Sequence, residues 1–116
     1  MKRGDVVLVE LPWPTRPGRE QSGLRPAAVV QIDLCAPPAT TVVVIPATSN
    51  TAALRFAYTV LVNPDDSNGL DRTSVLLASQ VRAVDRARLR GVIGRLSPND
   101  MQGVDDQLKR LLGFAE

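Results

Sequence analysis

The sequence predicts a small β-rich α+β domain, in which a series of short strands is followed by one C-terminal helix. Three observations predict it. Short apolar runs rich in valine recur along most of the chain, clusters of proline, glycine and aspartate separate them, and the clearest helical periodicity comes last. We expect such a chain to form a small twisted barrel or a curled sheet with the helix packed on it.

The first three strands are marked by their apolar runs and by the turn residues between them. Val6–Leu11 is the first, and it ends at the loop PWPTRPGREQSG. A connection of about a dozen residues exceeds the usual 4–6, which is typical of a functional or disordered loop. Pro26–Ile32 is the second strand. Thr41–Pro46 is the third, and because it is apolar on both faces we expect it to be central.

The middle of the chain predicts a hairpin and further short strands. Ala57–Val62 is a fourth strand and Ser74–Val84 supplies one or two more, with the turn cluster NPDDSNGL between them. Asp85 is placed to cap a short turn, and the extended piece RGVIGRL follows it.

The last element has the signals of a capped amphipathic helix. Ser97 is the predicted N-cap, Pro98 takes the first helical position, and Asp100 completes a capping box. Gly113 is the expected end of the helix. The apolar residues between these signals recur at three- and four-residue steps and form one stripe: Met101, Val104, Leu108, Leu111 and Leu112.

Composition favours one cytoplasmic domain spanning residues 1–116. Hydrophobic residues make up 44% of the chain and aromatic residues only 3%, so the core is expected to be aliphatic. No apolar run approaches the roughly 20 residues of a membrane span. Asp5 interrupts the N-terminal segment, which predicts a strand and not a signal peptide. The single cysteine, Cys35, cannot form an internal disulfide, which fits a reducing compartment.

Charged residues favour an anionic ligand over catalysis by histidine or metal. The chain has 14 basic and 12 acidic residues and no histidine. Histidine-based acid–base pairs, nucleophile triads and most zinc sites are therefore excluded. We expect neither a metal nor a cofactor, because no carboxylate spacing or glycine-rich phosphate loop suggests one. All but two of the basic residues are arginine, which suits phosphate recognition, although an arginine-rich genome would give the same bias.

Three short stretches carry candidate site residues, and each has an ordinary structural alternative. Arg25 precedes Pro26 at the mouth of a strand, where it is placed to grip a phosphate or simply to pair with Glu20. Thr48 and Ser49 follow the central strand, where they are placed to bind an anion or to cap the next turn. Gln80 and Arg82 are expected on one face of a strand, as ligand contacts or as solvated side chains.

The order of these motifs resembles the MazF/PemK family of toxin endoribonucleases. The resemblance runs through RGDVVLVELP, EQSGLRPAAVV, VVVIPATSN, GLDRTSVLLASQVRAVDRARL and GRLSPNDMQGVDDQLKRLLG, and so covers nearly the whole chain. It implies an SH3-like β-barrel (the CcdB/MazF-like fold) with short helices and a C-terminal helix. It also implies a homodimer that cleaves single-stranded RNA at short motifs without a metal, and that a cognate MazE-like antitoxin inhibits.

The resemblance also assigns residues. It implies that Arg25 and Thr48 are the catalytic pair, and Glu20 is the carboxylate that we expect within reach of the reacting hydroxyl. Ser79 stands where some members of the family have an aspartate, and the first loop lacks the histidine of some relatives. The expected RNA-binding residues lie in the first loop and near the other motifs: Trp13, Arg19, Gln21, Ser49, Asn50, Gln80 and Arg82.

Two other functions remain open from the sequence. One is a CcdB-like toxin that poisons DNA gyrase without cleaving nucleic acid, although this chain ends in LLGFAE and not in the Trp-Gly-Ile of that group. The other is a barrel that binds RNA without cutting it. Both leave the Arg25 and Thr48 pair without a chemical role.

Overall fold

Antiparallel pairing joins seven strands in the part of the chain that the structure describes. The structure is a computed structural model, and it describes residues 1–10, 24–32 and 40–114. One α-helix, α1 (Pro98–Leu112), follows the strands, and short 3-10 turns interrupt them at Thr51–Arg55, Ala78–Gln80 and Arg86–Arg88. The strands are β1 (Asp5–Glu10), β2 (Leu24–Val29), β3 (Thr41–Thr48), β4 (Thr59–Val62), β5 (Ser74–Leu77), β6 (Arg82–Asp85) and β7 (Leu89–Arg95).

The strand order places β3 at the centre of the sheet. Paired neighbours follow the order β4-β5-β3-β2-β1-β7, and β6 pairs with β3 beside this path. Val44 pairs with Val29 of β2 and with Arg82 of β6, so β2 occupies one edge of β3 while β6 and β5 share the other. The prediction of a central third strand is confirmed.

The β-rich α+β class with a C-terminal helix is confirmed. In the described ranges the sheet is not closed, because its path ends at β4 on one side and at β7 on the other. Of the two predicted shapes, a curled sheet therefore describes this part of the chain better than a closed barrel.

The expectation that Gln80 and Arg82 lie on one face of a strand is wrong for Gln80. Val44 and Ala47 of β3 are three positions apart in the chain, whereas their partners, Arg82 and Leu76, are six positions apart. The 3-10 turn Ala78–Gln80 takes up this difference, and its Ala78 amide donates to the Tyr58 carbonyl at 2.9 Å. Gln80 therefore lies in a turn, and only Arg82 lies in a strand.

Two aliphatic clusters form the core, one on each face of β1, β2 and β3. Alternation along these strands sends Val6, Ala28 and Ile45 to one face and Val7, Val29 and Val44 to the other. The first cluster includes residues of α1, whereas the second includes Val84 and Leu89 near the other end of the sheet. The buried hydrophobic residues are Ala, Val, Leu and Ile, so the expected aliphatic core is confirmed for the described residues.

The helix begins and ends where the sequence predicts. Ser97 caps it, because its hydroxyl accepts a hydrogen bond from the Asp100 amide at 3.0 Å, and Gly113 ends it with φ +81°. Val104 is fully buried, and Met101 and Leu108 pack partly buried against the same cluster. No helix in the described ranges is long and apolar enough to cross a membrane.

Candidate active site

Three strand ends converge at one edge of the sheet. Because β2 and β5 are both antiparallel to β3, their first residues lie beside the last residues of β3. Thr48 pairs with Val75 of β5. On the other edge, the register that pairs Ala27 with Pro46 places Arg25 opposite Thr48 when it is continued by two residues. The sheet topology alone thus brings the two predicted catalytic residues together.

An open pocket of about 500 Å³ lies at these strand ends. Its volume falls within the range of about 300–1,000 Å³ that is usual for small-ligand sites. Its polar lining comes from three places along the chain: Arg25, Thr48, Ser49, Asp71, Arg72 and Ser74. Its remaining walls are glycine and apolar residues: Leu8, Leu24, Pro26, Ala47, Gly69, Leu70 and Ile93.

The Thr48 hydroxyl is oriented by the backbone that follows it. Its Oγ1 accepts a hydrogen bond from the Asn50 amide at 3.1 Å. A hydroxyl offers one donor and two acceptor positions, so this bond leaves the Thr48 proton available to a ligand. The Thr48 side chain lies at the end of β3, partly exposed, where it can direct this proton toward an anion in the pocket.

Arg25 is held on the strand that separates β1 from β3. It pairs with Val9, which is fully buried, and it is itself partly buried. Pro26 restricts the Arg25 backbone to extended geometry, which is the conformation found in β2. The backbone of Arg25 is therefore fixed, and the residue lines the pocket from the edge of β3 opposite β5.

The loop between β4 and β5 adds two charged residues that the sequence did not assign to the site. Asp71 and Arg72 line the same pocket. Ser74 is buried and its hydroxyl donates to the Arg72 carbonyl at 3.0 Å, which fixes the backbone beside the pocket. The signal in the sequence was a pair of opposite charges directly before a strand, just after the turn cluster NPDDSNGL and within the motif GLDRTSVLLASQVRAVDRARL, but neither residue was given a role in the site.

Buried polar contacts make this loop part of the fold. Asn68 is fully buried, and its side-chain oxygen accepts hydrogen bonds from the Leu70 amide at 3.0 Å and the Asp65 amide at 3.3 Å. Its side-chain nitrogen donates to the Asn63 carbonyl at 2.9 Å. Satisfied buried polar groups of this kind specify one conformation, so the loop presents Asp71 and Arg72 from a defined backbone.

The other predicted site residues are distributed differently. Ser49 lines the pocket, whereas Asn50 caps the following 3-10 turn by accepting from the Ala52 amide at 3.1 Å. Thr48 and Ser49 were expected either to bind an anion or to cap this turn. The cap is Asn50, so neither of them has that role. Gln80 and Arg82 are not among the described residues that line the pocket. Four predicted site residues lie outside the described residues, as does Cys35: Trp13, Arg19, Glu20 and Gln21.

Metal-binding side chains do not cluster in the described residues. No group of three or more histidine, cysteine, aspartate or glutamate side chains there is placed to hold a metal ion. The polar groups of the pocket are instead guanidinium, hydroxyl and carboxylate groups. The guanidinium and hydroxyl groups are hydrogen-bond donors, which suit an anionic ligand such as a phosphodiester, whereas the Asp71 carboxylate can only accept.

Comparison with known proteins places this arrangement in one family. An Endoribonuclease MazF from Staphylococcus saprophyticus is 33% identical over 114 residues, which cover 98% of this chain and 92% of that protein. MazF from Deinococcus radiodurans has a similar structure, with a TM-score of 0.74 and 26% identity over 97% of this chain and 96% of that one. A MazE–MazF complex from the same organism matches with a TM-score of 0.73 and 25% identity, covering 99% and 97% of the two chains. The family model for PemK-like, MazF-like toxins matches residues 2–112, and the chain belongs to this family of toxins of type II toxin–antitoxin systems.

Proposed function

We propose that the chain, as one domain over residues 1–116, is a metal-independent endoribonuclease that cleaves single-stranded RNA at short sequence motifs. The observation that carries the proposal is the meeting of Arg25 and Thr48 in one pocket, from strands that flank each other at the edge of the sheet. Family membership and the endoribonuclease name of the relative from Staphylococcus saprophyticus support it.

The reaction that fits these groups is an attack of a ribose 2′-hydroxyl on its own phosphate. The 2′-oxygen forms a bond to phosphorus, the bond from phosphorus to the 5′-oxygen breaks, and the products are a 2′,3′-cyclic phosphate and a 5′-hydroxyl. Negative charge grows on the non-bridging oxygens, and Arg25 and Thr48 donate hydrogen bonds to them. Because these donors are already oriented, they stabilise the charge without a reorganisation cost at the moment of reaction.

Proton transfer completes the reaction. The 2′-hydroxyl must lose a proton, and the 5′-oxygen must gain one, which water can supply, as it leaves. Guanidinium groups keep their protons in proteins, so an arginine is a poor acceptor, and we assign the acceptor role to Glu20. A substrate without the 2′-hydroxyl cannot react in this way, so DNA is expected to be resistant.

We also propose an inhibitor, an oligomeric state and a cellular compartment for the protein. A cognate MazE-like antitoxin is the proposed inhibitor, since similar structures include a MazE–MazF complex. A homodimer is proposed because large apolar side chains are exposed on neighbouring elements, Leu54 and Phe56 at the 3-10 turn after β3 and Leu61 on β4. With RNA as the substrate, the cytoplasm is the expected site of action. Residues Trp13, Arg19, Gln21, Ser49, Asn50, Gln80 and Arg82 stay assigned to RNA binding.

Cleavage of a long single-stranded RNA in EDTA tests the proposal. The wild-type protein is compared with Arg25→Ala and Thr48→Ala, and Arg110→Gln serves as a control at an exposed helix position. We expect discrete cuts that end in cyclic phosphates for the wild type and the control, and a loss of about 10² to 10³ in rate for each site variant. Folded wild-type protein that cuts none of several RNAs would overturn the endoribonuclease proposal and favour non-cleaving binding.

A further inference from the structure

We infer that Arg72 is a second phosphate-binding residue of the pocket, which contacts the RNA backbone from the side of Thr48 opposite Arg25. The inference rests on the proposed function, because it takes RNA as the ligand. It names a substrate contact that the predicted site residues do not include, although Arg72 lies within the motif GLDRTSVLLASQVRAVDRARL.

Arg72 lies on the opposite side of Thr48 from Arg25. β2 and β5 lie on opposite edges of β3, and each begins beside the end of β3. Arg25 is the second residue of β2, and Arg72 comes two residues before β5. Arg25 and Arg72 thus line one pocket from opposite sides of Thr48. A phosphodiester in the pocket would find donors on both sides.

Arg72 is also available to a ligand. Its side chain is exposed at the pocket, and it forms no ion pair with any described carboxylate. Arg3, Arg90 and Arg95, in contrast, each form an ion pair with an aspartate or glutamate. An arginine whose backbone is fixed and whose guanidinium faces a pocket is suited to hold a phosphate with two parallel hydrogen bonds.

The net charge of the pocket depends on Arg72. Its described lining carries two guanidinium groups and one carboxylate, that of Asp71. Loss of Arg72 therefore leaves this lining with no net positive charge, although Arg25 remains. Binding of single-stranded RNA to basic residues releases counterions, so its affinity falls as the salt concentration rises. In a plot of log K against log salt, each lost phosphate contact makes the slope less steep by about 0.7.

The test measures binding and cleavage separately. Fluorescence anisotropy on a short RNA that spans a mapped cut, with a 2′-deoxy nucleotide at the cut, reports affinity without reaction. If no cut is found, a random-sequence RNA of the same length is used. Arg72→Gln, Arg72→Lys and the control Arg110→Gln are compared with the wild type over a series of salt concentrations, after circular dichroism has shown that each is folded.

We expect Arg72→Gln to bind on the order of tenfold more weakly, with a salt slope smaller by about 0.7. Arg72→Lys is expected to restore the slope and part of the affinity, since a lysine keeps the charge without the planar fork. Arg110→Gln should bind as the wild type does. In cleavage, Arg72→Gln should raise KM more than it lowers kcat.

Three results would overturn the inference. They are unchanged binding by Arg72→Gln, an equal loss for Arg72→Gln and Arg110→Gln, and a loss of kcat with binding intact. If Arg72→Gln does not fold, the test depends on Arg72→Lys. An RNA affinity of Arg72→Lys equal to that of the wild type would then overturn the inference. Wild-type protein that binds RNA through Arg72 but cuts nothing would contradict the proposed function and leave this inference standing.

Discussion

At the scale of single residues, the Thr48 hydroxyl has a defined orientation before any ligand arrives. The Asn50 amide occupies one of its acceptor positions at 3.1 Å, and β3 fixes the backbone on the other side. A β-branched side chain also has few rotamers on a strand, so the cost of ordering the hydroxyl for a ligand is small. The preorganised donor that the proposed reaction needs is therefore present in the unliganded fold.

Substitution of Thr48 separates the hydroxyl from the shape of the side chain. We expect Thr48→Val to lower the cleavage rate about 10² to 10³-fold, because valine keeps the β-branched shape and loses the donor. Thr48→Ser retains the hydroxyl and is expected to keep most of the activity. Single-turnover cleavage of a short RNA measures both. Equal activity of the valine and serine variants would show that the hydroxyl has no part in the reaction.

Residues of the site were predictable where local sequence defines their surroundings. Arg25 stands before a proline at a strand mouth and Thr48 ends an apolar run, and both patterns are visible in the chain. Asp71 and Arg72 were not predictable in the same way. Their place in the pocket depends on the pairing of Thr48 with Val75, and a sequence does not show which strands are neighbours.

At the scale of elements, the loop between β4 and β5 is anchored to β7 at two glycines. Gly69 has φ +72°, and a Cβ there would lie 2.1 Å from the Ile93 carbonyl oxygen. A Cβ on Gly94 would lie 2.3 Å from the Asn68 carbonyl carbon. Only glycine at both positions allows the loop and the strand to approach this closely, and this approach determines where Arg72 enters the pocket.

We expect Gly69→Ala to destabilise the protein by about 3 kcal/mol. The left-handed backbone costs roughly 1–2 kcal/mol for an alanine, and the collision with Ile93 adds an overpacking cost. Urea denaturation measures the change in the free energy of unfolding. The matched control is Gly113→Ala, which has φ +81° but no atom within 4 Å of the added Cβ, and it should lose only about 1 kcal/mol. Equal losses for the two variants would contradict the close packing of the loop on β7.

The helix cap provides an independent test of the C-terminal element. Ser97→Ala removes the acceptor for the Asp100 amide, and we expect a loss of about 1 kcal/mol in the free energy of unfolding. Ser97→Asp supplies another acceptor at the same position and should stay within about 0.5 kcal/mol of the wild type. Thermal denaturation of the three proteins measures the difference. An alanine variant as stable as the wild type would show that the cap contributes nothing.

Elements were predicted best where one local signal defines them. The helix was predicted to the residue, because its cap, its first-turn proline and its terminal glycine are all local features. The break between β5 and β6 was left open, since the apolar run through Ser74–Val84 continues across it and was expected to supply one or two strands. The turn Ala78–Gln80 exists because β5 and β6 share one edge of β3 with different registers, which is a tertiary requirement.

At the scale of the whole molecule, the sheet buries both of its faces although the chain has few aromatic residues. The two aliphatic clusters on β1, β2 and β3 explain why these strands are nearly continuous apolar runs. Several large apolar side chains nevertheless remain exposed. Phe56 is 57% exposed beside Leu54, with the Arg55 guanidinium 4.9 Å from the centre of its ring. An exposed cluster of this kind is typical of a surface that meets a partner.

If the proposed homodimer uses this cluster, Phe56→Glu should raise the dissociation constant of the dimer at least about tenfold. The variant loses the burial of a phenylalanine, which contributes about 1.5–3 kcal/mol, and the glutamate would have to be desolvated. Leu112→Glu is the matched control, since Leu112 is 56% exposed on the helix. Sedimentation equilibrium over a range of concentrations measures the dissociation constant of each variant. We expect the control to match the wild type. Wild-type protein that is monomeric at micromolar concentrations would contradict the homodimer. An unchanged dimer in Phe56→Glu would assign the contact to another surface.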